Sequence, residues 1–364
     1  MEYRLLGRSG LKVSVVSLGG WLTYGGHVEK QKTFDCMKTA FDAGVNFFDT
    51  AESYAGGQSE VVMGECIRKY GWARNELVIS TKINWGGASA SEGHAENSVG
   101  LSRKHIVEGL NNSLRRLGLD YVDLVYAHRP DRLTPMQEIV RAFNHVIDQG
   151  KAFYWGTSEW SAEEIADAWG VADRLGLIGP VMEQPQYNLL VRDKVEKEYY
   201  NLYAKHGLGL TTFSPLRMGI LSGKYNDFKI PEGSRLSSSS DSFTKAMREK
   251  FHTDEEMRKQ ITTTKSLEVF PLTQCLNYIS QTTNGAAVSQ TVAKELGITL
   301  SQLAIAWVIK NPKVSSVITG ASKPEQVLEN VEAVKHAEKL TPEIMERIEK
   351  IVGNKPQLEN RRFT

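Results

Sequence analysis

The sequence predicts an α/β protein of the (β/α)8 TIM-barrel class, with long loops at the carboxyl face of the barrel. Eight short apolar runs alternate with helical patterns along the chain, and a regular alternation of that kind builds a parallel sheet. No G-x-G-x-x-G follows an early strand, which counts against a dinucleotide-binding doubly wound sheet. The 364 residues suffice for two average domains or one large α/β barrel. The eightfold alternation selects the barrel.

The first strand is expected at Val13–Gly19, leading into Gly19-Gly20-Trp21. A helix from about Lys30 to Ala43 closes at Gly44. The second strand carries Phe47 and Phe48 and ends at Asp49; such apolar runs suit strands covered on both faces. Ser59 is placed to cap the next helix, which turns Val62, Cys66 and Ile67 to one side. Strand three, Leu77–Lys82, leads to a Gly/Ser-rich loop from Trp85 to Gly100. Ile106, Leu110, Leu114 and Leu117 recur at helical spacing, and strand four runs from Tyr121 to His128. Thr134-Pro135 reads as the N-cap and first position of a helix with the stripe Met136, Ile139, Val140, Phe143 and Ile147, stopped by Gly150.

Ala152–Ser158 is strand five. Ser161 caps a helix to about Leu175, Val181–Gln184 is strand six, and a helix from about Val195 to Lys205 closes at Gly207. Leu210–Pro215 is strand seven. A long insertion follows, then a helix around Leu303, Ala306 and Trp307, strand eight at Ser315–Gly320, and helices Pro324–His336 and Pro342–Val352. Residues 1–364 are expected to form a single barrel domain with an atypical insertion at 261–292, a Thr-rich stretch whose only charges are Lys265 and Glu268.

Composition narrows the function classes. Hydrophobic content of 41% and charged content of 24% are ordinary for a globular protein, and the net charge of +1 gives no reason to expect nucleic acid or an anionic membrane as partner. No signal peptide and no membrane-spanning apolar run is visible. Cys36, Cys66 and Cys275 are scattered and odd in number, which reads as isolated thiols in a reducing compartment and not as a disulfide framework or a metal site. The cytoplasm is the expected location.

Chemistry concentrates at strand ends. Asp49 ends strand two and Tyr54 lies five residues on. Lys82 ends strand three and His128 ends strand four. Any one of these is most simply a strand terminus meeting solvent. Four of them at one end of consecutive strands form a set with a purpose, because barrel strands converge at their carboxyl ends. A phenol titrates near pH 10, and a neighbouring ammonium is expected to lower that value. A carboxylate keeps the ammonium charged, and an imidazole can donate to a substrate oxygen. Such a set suits protonation of a carbonyl oxygen while hydride reaches its carbon.

Other strand-end residues suit a cofactor. Ser158, Gln184, Ser214 and Ser322 offer hydrogen bonds, and Gln184 could meet a nicotinamide carboxamide. Trp21 and Phe213 could stack on a ring or merely wall the pocket. Gly320–Gln326 carries strand eight into a helix amino terminus, where N–H groups and the dipole favour an anion such as a 2′-phosphate; simple capping by Ser322 explains the same residues. Lys224 and Arg235 could reach a phosphate or be plain solvated cations.

The motifs Gly19-Gly20-Trp21, Phe48–Tyr54, Ser80-Thr81-Lys82, Leu101–Ile106, His128-Arg129-Pro130-Asp131, Tyr154–Trp160, Ser222–Tyr225 and Gly320-Ala321-Ser322 together resemble the aldo-keto reductases over essentially the whole chain. Within them the chain looks most like the beta subunits of voltage-gated potassium channels, plant-type members included. The resemblance implies an NADP(H) cofactor and a tetrad of Asp49, Tyr54, Lys82 and His128. The fourth position is asparagine in animal channel subunits, and histidine there supports competent catalysis. By matching, Gly20, Trp21, His27, Ser158, Gln184, Ser214, Pro215 and Leu216 fall on cofactor-contact positions, as do Lys224, Arg235, Gly320, Ser322, Gln326, Glu329 and Asn330. Asp49 and Phe213 are counted with them from their place at strand ends. Glu159 replaces an arginine of animal relatives, which puts that contact in doubt. The resemblance also implies a homotetramer and a potassium channel alpha subunit as partner alongside a small carbonyl substrate; as a departure from the animal members, no channel-plugging amino-terminal extension is expected. The stretch 261–292 is longer than relatives have there, as a surface loop or an unspliced remnant would be. The expected activity is NADPH-dependent reduction of aldehydes and ketones with Tyr54 as general acid, and the alternative is regulation of a channel through bound NADP(H).

Overall fold

The computed structural model describes residues 1–21, 23–87, 96–238, 242–268 and 292–358. Its strands are β1 (Tyr3–Leu5), β2 (Lys12–Ser14), β3 (Val16–Gly19), β4 (Phe47–Asp49), β5 (Val78–Ile83), β6 (Val122–Ala127), β7 (Ala152–Ser158), β8 (Met182–Gln184), β9 (Gly209–Phe213) and β10 (Val314–Thr319). The last eight close a parallel barrel in the order β10-β3-β4-β5-β6-β7-β8-β9. Interleaved helices are α1 (Lys30–Asp42), α2 (Gln58–Tyr70), α3 (Arg103–Leu117), α4 (Met136–Asp148), α5 (Ala162–Leu175) and α6 (Tyr200–His206). They are followed by α7 (Arg235–Ser238), α8 (Ser242–Lys250), α9 (Glu255–Glu268), α10 (Val292–Glu295), α11 (Leu300–Lys310), α12 (Pro324–His336) and α13 (Pro342–Val352). The expected (β/α)8 barrel is the observed fold.

Two compact units make up the chain. The first, residues 1–186, 193–213 and 311–331, holds the barrel. Its strands alternate side chains between the interior and the helix layer. The Tyr126 and Thr211 hydroxyls meet at 2.9 Å, although β6 and β9 are not neighbours, so they bridge the interior. Phe47, Val78, Leu124, Tyr126 and Met182 cluster with Leu6 and Val13. Leu6 lies in the β1–β2 hairpin, and Gly7 beside it packs against the starts of β8 and β9. The hairpin therefore closes the amino-terminal end of the barrel, leaving chemistry to the opposite end.

The second unit comprises 187–192, 214–310 and 332–364. Ile220, Tyr225, Leu236, Phe251, Met257 and Ile261 form its buried cluster. Arg192 is held by both carboxylate oxygens of Glu349 on α13, at 2.7 and 2.8 Å, and lies 4.9 Å from the centre of the Trp307 ring. Within 261–292, Ile261–Glu268 complete α9 and Val292 opens α10; residues 269–291 lie outside the described residues.

Several expected boundaries move, each for a local reason. Val13–Gly19 is two strands and not one, because Lys12–Ser14 pair antiparallel with β1. Ser59 does not cap α2. Gly57 does, and the Ser59 hydroxyl is bonded to that of Thr50 at 2.8 Å. Pro135 is the N-cap of α4, and Thr134 donates instead to Asp131 at 2.7 Å. Val146 is the buried residue of that helix where the stripe placed Ile147. The helix expected at Val195–Lys205 is a wide π turn, Lys194–Glu198, then α6. They break at fully buried Tyr199, whose hydroxyl donates to the Trp160 carbonyl at 2.5 Å. Strand seven ends at Phe213 because Ser214 adopts a left-handed φ of 54°. The Ser161 cap is present as expected, with Glu164 completing a capping box.

Helix α2 crosses the end of α3 at Gly64. A Cβ there would stand 1.9 Å from the Leu117 carbonyl oxygen. Ala normally stabilises a helix interior by about 1 kcal/mol over Gly. Here the close approach reverses the sign, and Gly64→Ala should destabilise by about 2 kcal/mol. Urea unfolding reads this directly; an unchanged or raised midpoint would contradict the packing.

Candidate active site

At the carboxyl end of β5 the Lys82 side chain is fully buried. Its ammonium donates to Asp49 Oδ2 at 2.6 Å, to the Thr50 carbonyl at 2.7 Å and to Tyr54 Oη at 3.2 Å. Three acceptors match the three donors of an ammonium, and a buried cation needs them. Asp49 Oδ1 accepts from Ser80 at 2.6 Å and from Gln184 Nε2 at 3.2 Å. Gln184 reaches from β8, on the far side of the barrel from β4, so the carboxylate is fixed from several sides.

Tyr54 is carried by the turn Tyr54–Gly57, in which Ala55, Gly56 and Gly57 all have positive φ. Burial raises the Tyr54 phenol above its ordinary value, with Lys82 opposing and Asp49 adding to the rise. The net direction corrects the sequence expectation: the ammonium is present, but burial outweighs it and the phenol stays protonated at neutral pH. For Lys82, burial pulls the amine down, yet Asp49 and Tyr54 more than offset this and the net shift is upward.

The His128 ring meets the Tyr54 ring edge-on, centroids 5.6 Å apart. Burial first, then the charges of Lys82 and Arg129, push its pKa well below the usual histidine range. The imidazole is neutral, and its Nδ1 is buried without a partner among the described residues. Tyr54 and His128 thus present one hydroxyl and one neutral ring to the same end of the barrel.

The other nominated residues divide between the two units. In the first, Gly20 follows β3 and donates its N–H to the Asp49 carbonyl; a Cβ there would meet Ser59 Oγ at 2.5 Å. Trp21 is half-buried beside it. The His27 side chain lies outside the described residues. Ser158 donates to the Gln184 carbonyl at 2.9 Å, and half-exposed Phe213 ends β9. The Ser322 N–H and hydroxyl both donate to Gln326 Oε1, at 2.9 and 3.2 Å, so Gln326 and not Ser322 supplies the acceptor at the start of α12. Gly320 is exposed, Glu329 half-buried and Asn330 buried. Glu159 is half-buried and paired within the first unit: it accepts from the Gln186 N–H at 2.6 Å and from Lys194 at 2.9 Å. In the second unit, the Ser214 carbonyl accepts from Asn188, with Pro215 and Leu216 in the turn that follows. Desolvation and then the Arg235 guanidinium lower the Lys224 amine, which places two cations near one another.

Sequence reasoning missed the supports. Ser80, two residues before Lys82, shares its face of β5 and could have been found by strand period. The buried Glu52–His105 pair could not. Glu52 Oε1 accepts the N–H groups of Asn84 and Gly86 at 2.7 and 2.9 Å, and its own N–H donates to the Lys82 carbonyl at 3.2 Å. These bonds fix the Tyr54 turn against the end of β5. His105 Nε2 meets Glu52 Oε2 at 3.2 Å while Nδ1 meets the Gly100 carbonyl at 2.8 Å. Both ring nitrogens face acceptors, which favours imidazolium. Burial opposes the charge, but the bond to Glu52 and its charge dominate and the His105 pKa is raised.

Cys36 and Cys66 are buried free thiols, pushed by burial up to about 11 and about 12; Cys275 lies outside the described residues. Among the described residues, no His/Cys/Asp/Glu group could hold a metal ion, and no helix is long and apolar enough to cross a membrane.

Sequence comparison finds relatives over nearly the whole chain. Residues 15–353 match the aldo/keto reductase family. The chain is 48% identical over 357 residues to a protein of Arabidopsis thaliana and, separately, to one of Oryza sativa subsp. japonica, each named "Probable voltage-gated potassium channel subunit beta". Each alignment covers 98% of this chain and 98% of the relative.

A group whose folded pKa is raised contributes its stability fully below its unfolded value and loses it as pH rises through the folded value. The stability advantage of wild type over His105→Gln should therefore be about 2 kcal/mol near pH 6 and shrink as pH rises beyond about 6.5. Denaturant titrations across that range check it; a gap that widens with pH would refute the charged pair.

Proposed function

The chain belongs to the aldo/keto reductase family, and on that premise we propose that it is a cytoplasmic, NADPH-dependent reductase of aldehydes and ketones. The observation that carries this reading is the buried Asp49–Lys82–Tyr54 relay set edge-on to a neutral His128. The residues present fit a nicotinamide cofactor. Gln184, held through Nε2 by Asp49, is an amide suited to a carboxamide, Ser158 stands beside it, and Phe213 offers a ring face. We assign the adenosine end to the start of α12, through Ser322 and Gln326 with Glu329 and Asn330; in the second unit, taken by itself, the cations Lys224 and Arg235 suit a phosphate.

When bound, the cofactor supplies the hydride. The chain's own groups do the rest. Tyr54 gives its phenolic proton to the carbonyl oxygen as hydride reaches the carbon. Lys82 stabilises the resulting phenolate, which favours the transfer without keeping the resting phenol ionised. Asp49 holds the ammonium in place, and Ser80 and Gln184 hold Asp49. His128, being neutral, donates a hydrogen bond that orients the carbonyl. The reading takes 1–364 as one reductase domain with an insertion at 261–292; a mature transcript lacking that stretch would make it an unspliced remnant.

The names of the plant relatives favour a second reading, in which the chain is a beta subunit of a voltage-gated potassium channel and regulates it through its cofactor. The two roles are compatible. Co-purification with a channel's cytoplasmic domain, in a four-fold assembly, is the result expected of this reading; a monomer that ignores the channel counts against it.

The primary test loads the purified protein with NADPH and follows its oxidation on adding aldehydes and ketones. Tyr54→Phe should lower turnover by roughly 10²- to 10⁴-fold while NADPH still binds. Oxidation indifferent to Tyr54 would remove the proposed acid.

A further inference from the structure

Arg129 follows His128 at the carboxyl end of β6, and its side chain is half-buried. Its Nη1 donates to the His128 carbonyl and to Ser158 Oγ, the latter at 3.1 Å. These bonds lay the guanidinium across the ends of β6 and β7, at the end of the barrel that carries Tyr54 and His128. Its charge is felt at both residues, favouring the charged form of the phenol and disfavouring that of the imidazole.

Among the described residues this guanidinium makes no ion pair, and its Nε and Nη2 have no protein acceptor. The neighbouring acids are committed elsewhere. Asp131 accepts from the Leu101 and Leu133 N–H groups and from the Thr134 hydroxyl. Glu159 is taken by Lys194 and the Gln186 N–H, and Glu164 by Arg132 and the Ser161 N–H. Asp49 is held by Lys82. A partly desolvated guanidinium without a counter-charge is costly to keep, and its planar fork matches a carboxylate. An unused fork at the reacting end of the barrel is accounted for if the anion arrives with the substrate.

We propose that Arg129 is a charge subsite, and that the pocket takes carbonyl compounds bearing a carboxylate a short carbon chain away from the carbonyl. The carboxylate engages Nε and Nη2 while the carbonyl oxygen lies between Tyr54 and His128. The two bonds from Nη1 keep the fork in place before substrate binds, so little ordering is needed on binding. This subsite rests on the reductase reading and narrows its substrate class.

The experiment compares ω-oxo carboxylates of increasing chain length with straight-chain aldehydes of the same length, using the NADPH-loaded protein. Wild type should favour one or two of the acids by roughly 10- to 100-fold in kcat/KM, the range of a charge-assisted hydrogen bond. Arg129→Gln should collapse that ratio towards one, chiefly through KM for the acid. Equal rates on acids and aldehydes in wild type overturn the subsite. So does an Arg129→Gln protein that loses both substrates in proportion, since Arg129 would then act through Ser158 and the cofactor. Should Arg129→Gln fail to fold, Arg129→Lys keeps the charge but not the fork, and the ratio should still fall. If wild type reduces no carbonyl at all, the reductase reading fails; the subsite is then read by glutarate binding to the NADP-loaded protein, with equal binding by wild type and Arg129→Gln, or none, overturning it.

Discussion

A fully buried ammonium governs the barrel's reactive end. Lys82 has no water to turn to, and its three donors are satisfied by Asp49, the Thr50 carbonyl and Tyr54. A buried charge that loses a partner is far more costly than an exposed one, so these three acceptors cannot drift. Asp49 must stay aimed at the ammonium, which Ser80 and Gln184 ensure from neighbouring and opposite strands. Tyr54 must hold its hydroxyl at the ammonium, which requires a turn of three consecutive positive-φ residues. The arrangement of the site is the solution to one electrostatic problem.

Strand alternation spreads that solution through two layers. Ser80 and Lys82 point into the barrel, while Thr81 between them points out and donates to Glu60 of α2 at 2.5 Å. Glu60 is in turn paired with Arg116 of α3 at 2.6 Å. Gln184 points in, and Glu183 beside it points out, fully buried, where burial pushes its carboxyl to about 8 and Thr157 donates to it. A one-residue slip of either strand would exchange the inward-facing Lys82 and Gln184 for outward-facing neighbours. The outer polar pairs therefore guard register, and register decides which residues reach the chemistry.

Much of this was legible in the residues themselves. Strand period and apolar runs located all eight barrel strands, since a strand buried on both faces leaves a compact apolar signature. Odd polar residues at strand ends identified Asp49, Lys82 and His128, because such groups have no packing use there. Caps were less legible. Ser161 behaved as its spacing suggested, but the Ser59 hydroxyl bonds that of Thr50, and Thr134 donates to Asp131 three residues back. A hydroxyl takes the best partner available, and a neighbouring side chain can outbid the adjacent helix backbone.

By itself the sequence determined the alternation of elements and singled out Asp49, Lys82 and His128 at strand ends with Tyr54 in the loop that follows Asp49, all of which follow from local period and side-chain chemistry. Only the tertiary structure decided which protonation states those groups hold. Burial outweighs Lys82 in setting the Tyr54 phenol and holds His128 neutral, while Glu52 raises His105 against the pull of burial. It also brought Glu52 to His105, 53 positions away, and left Arg129 without a carboxylate among the described residues. Desolvation and pairing depend on what the rest of the chain places within a few ångströms, and no local pattern in one sequence encodes that.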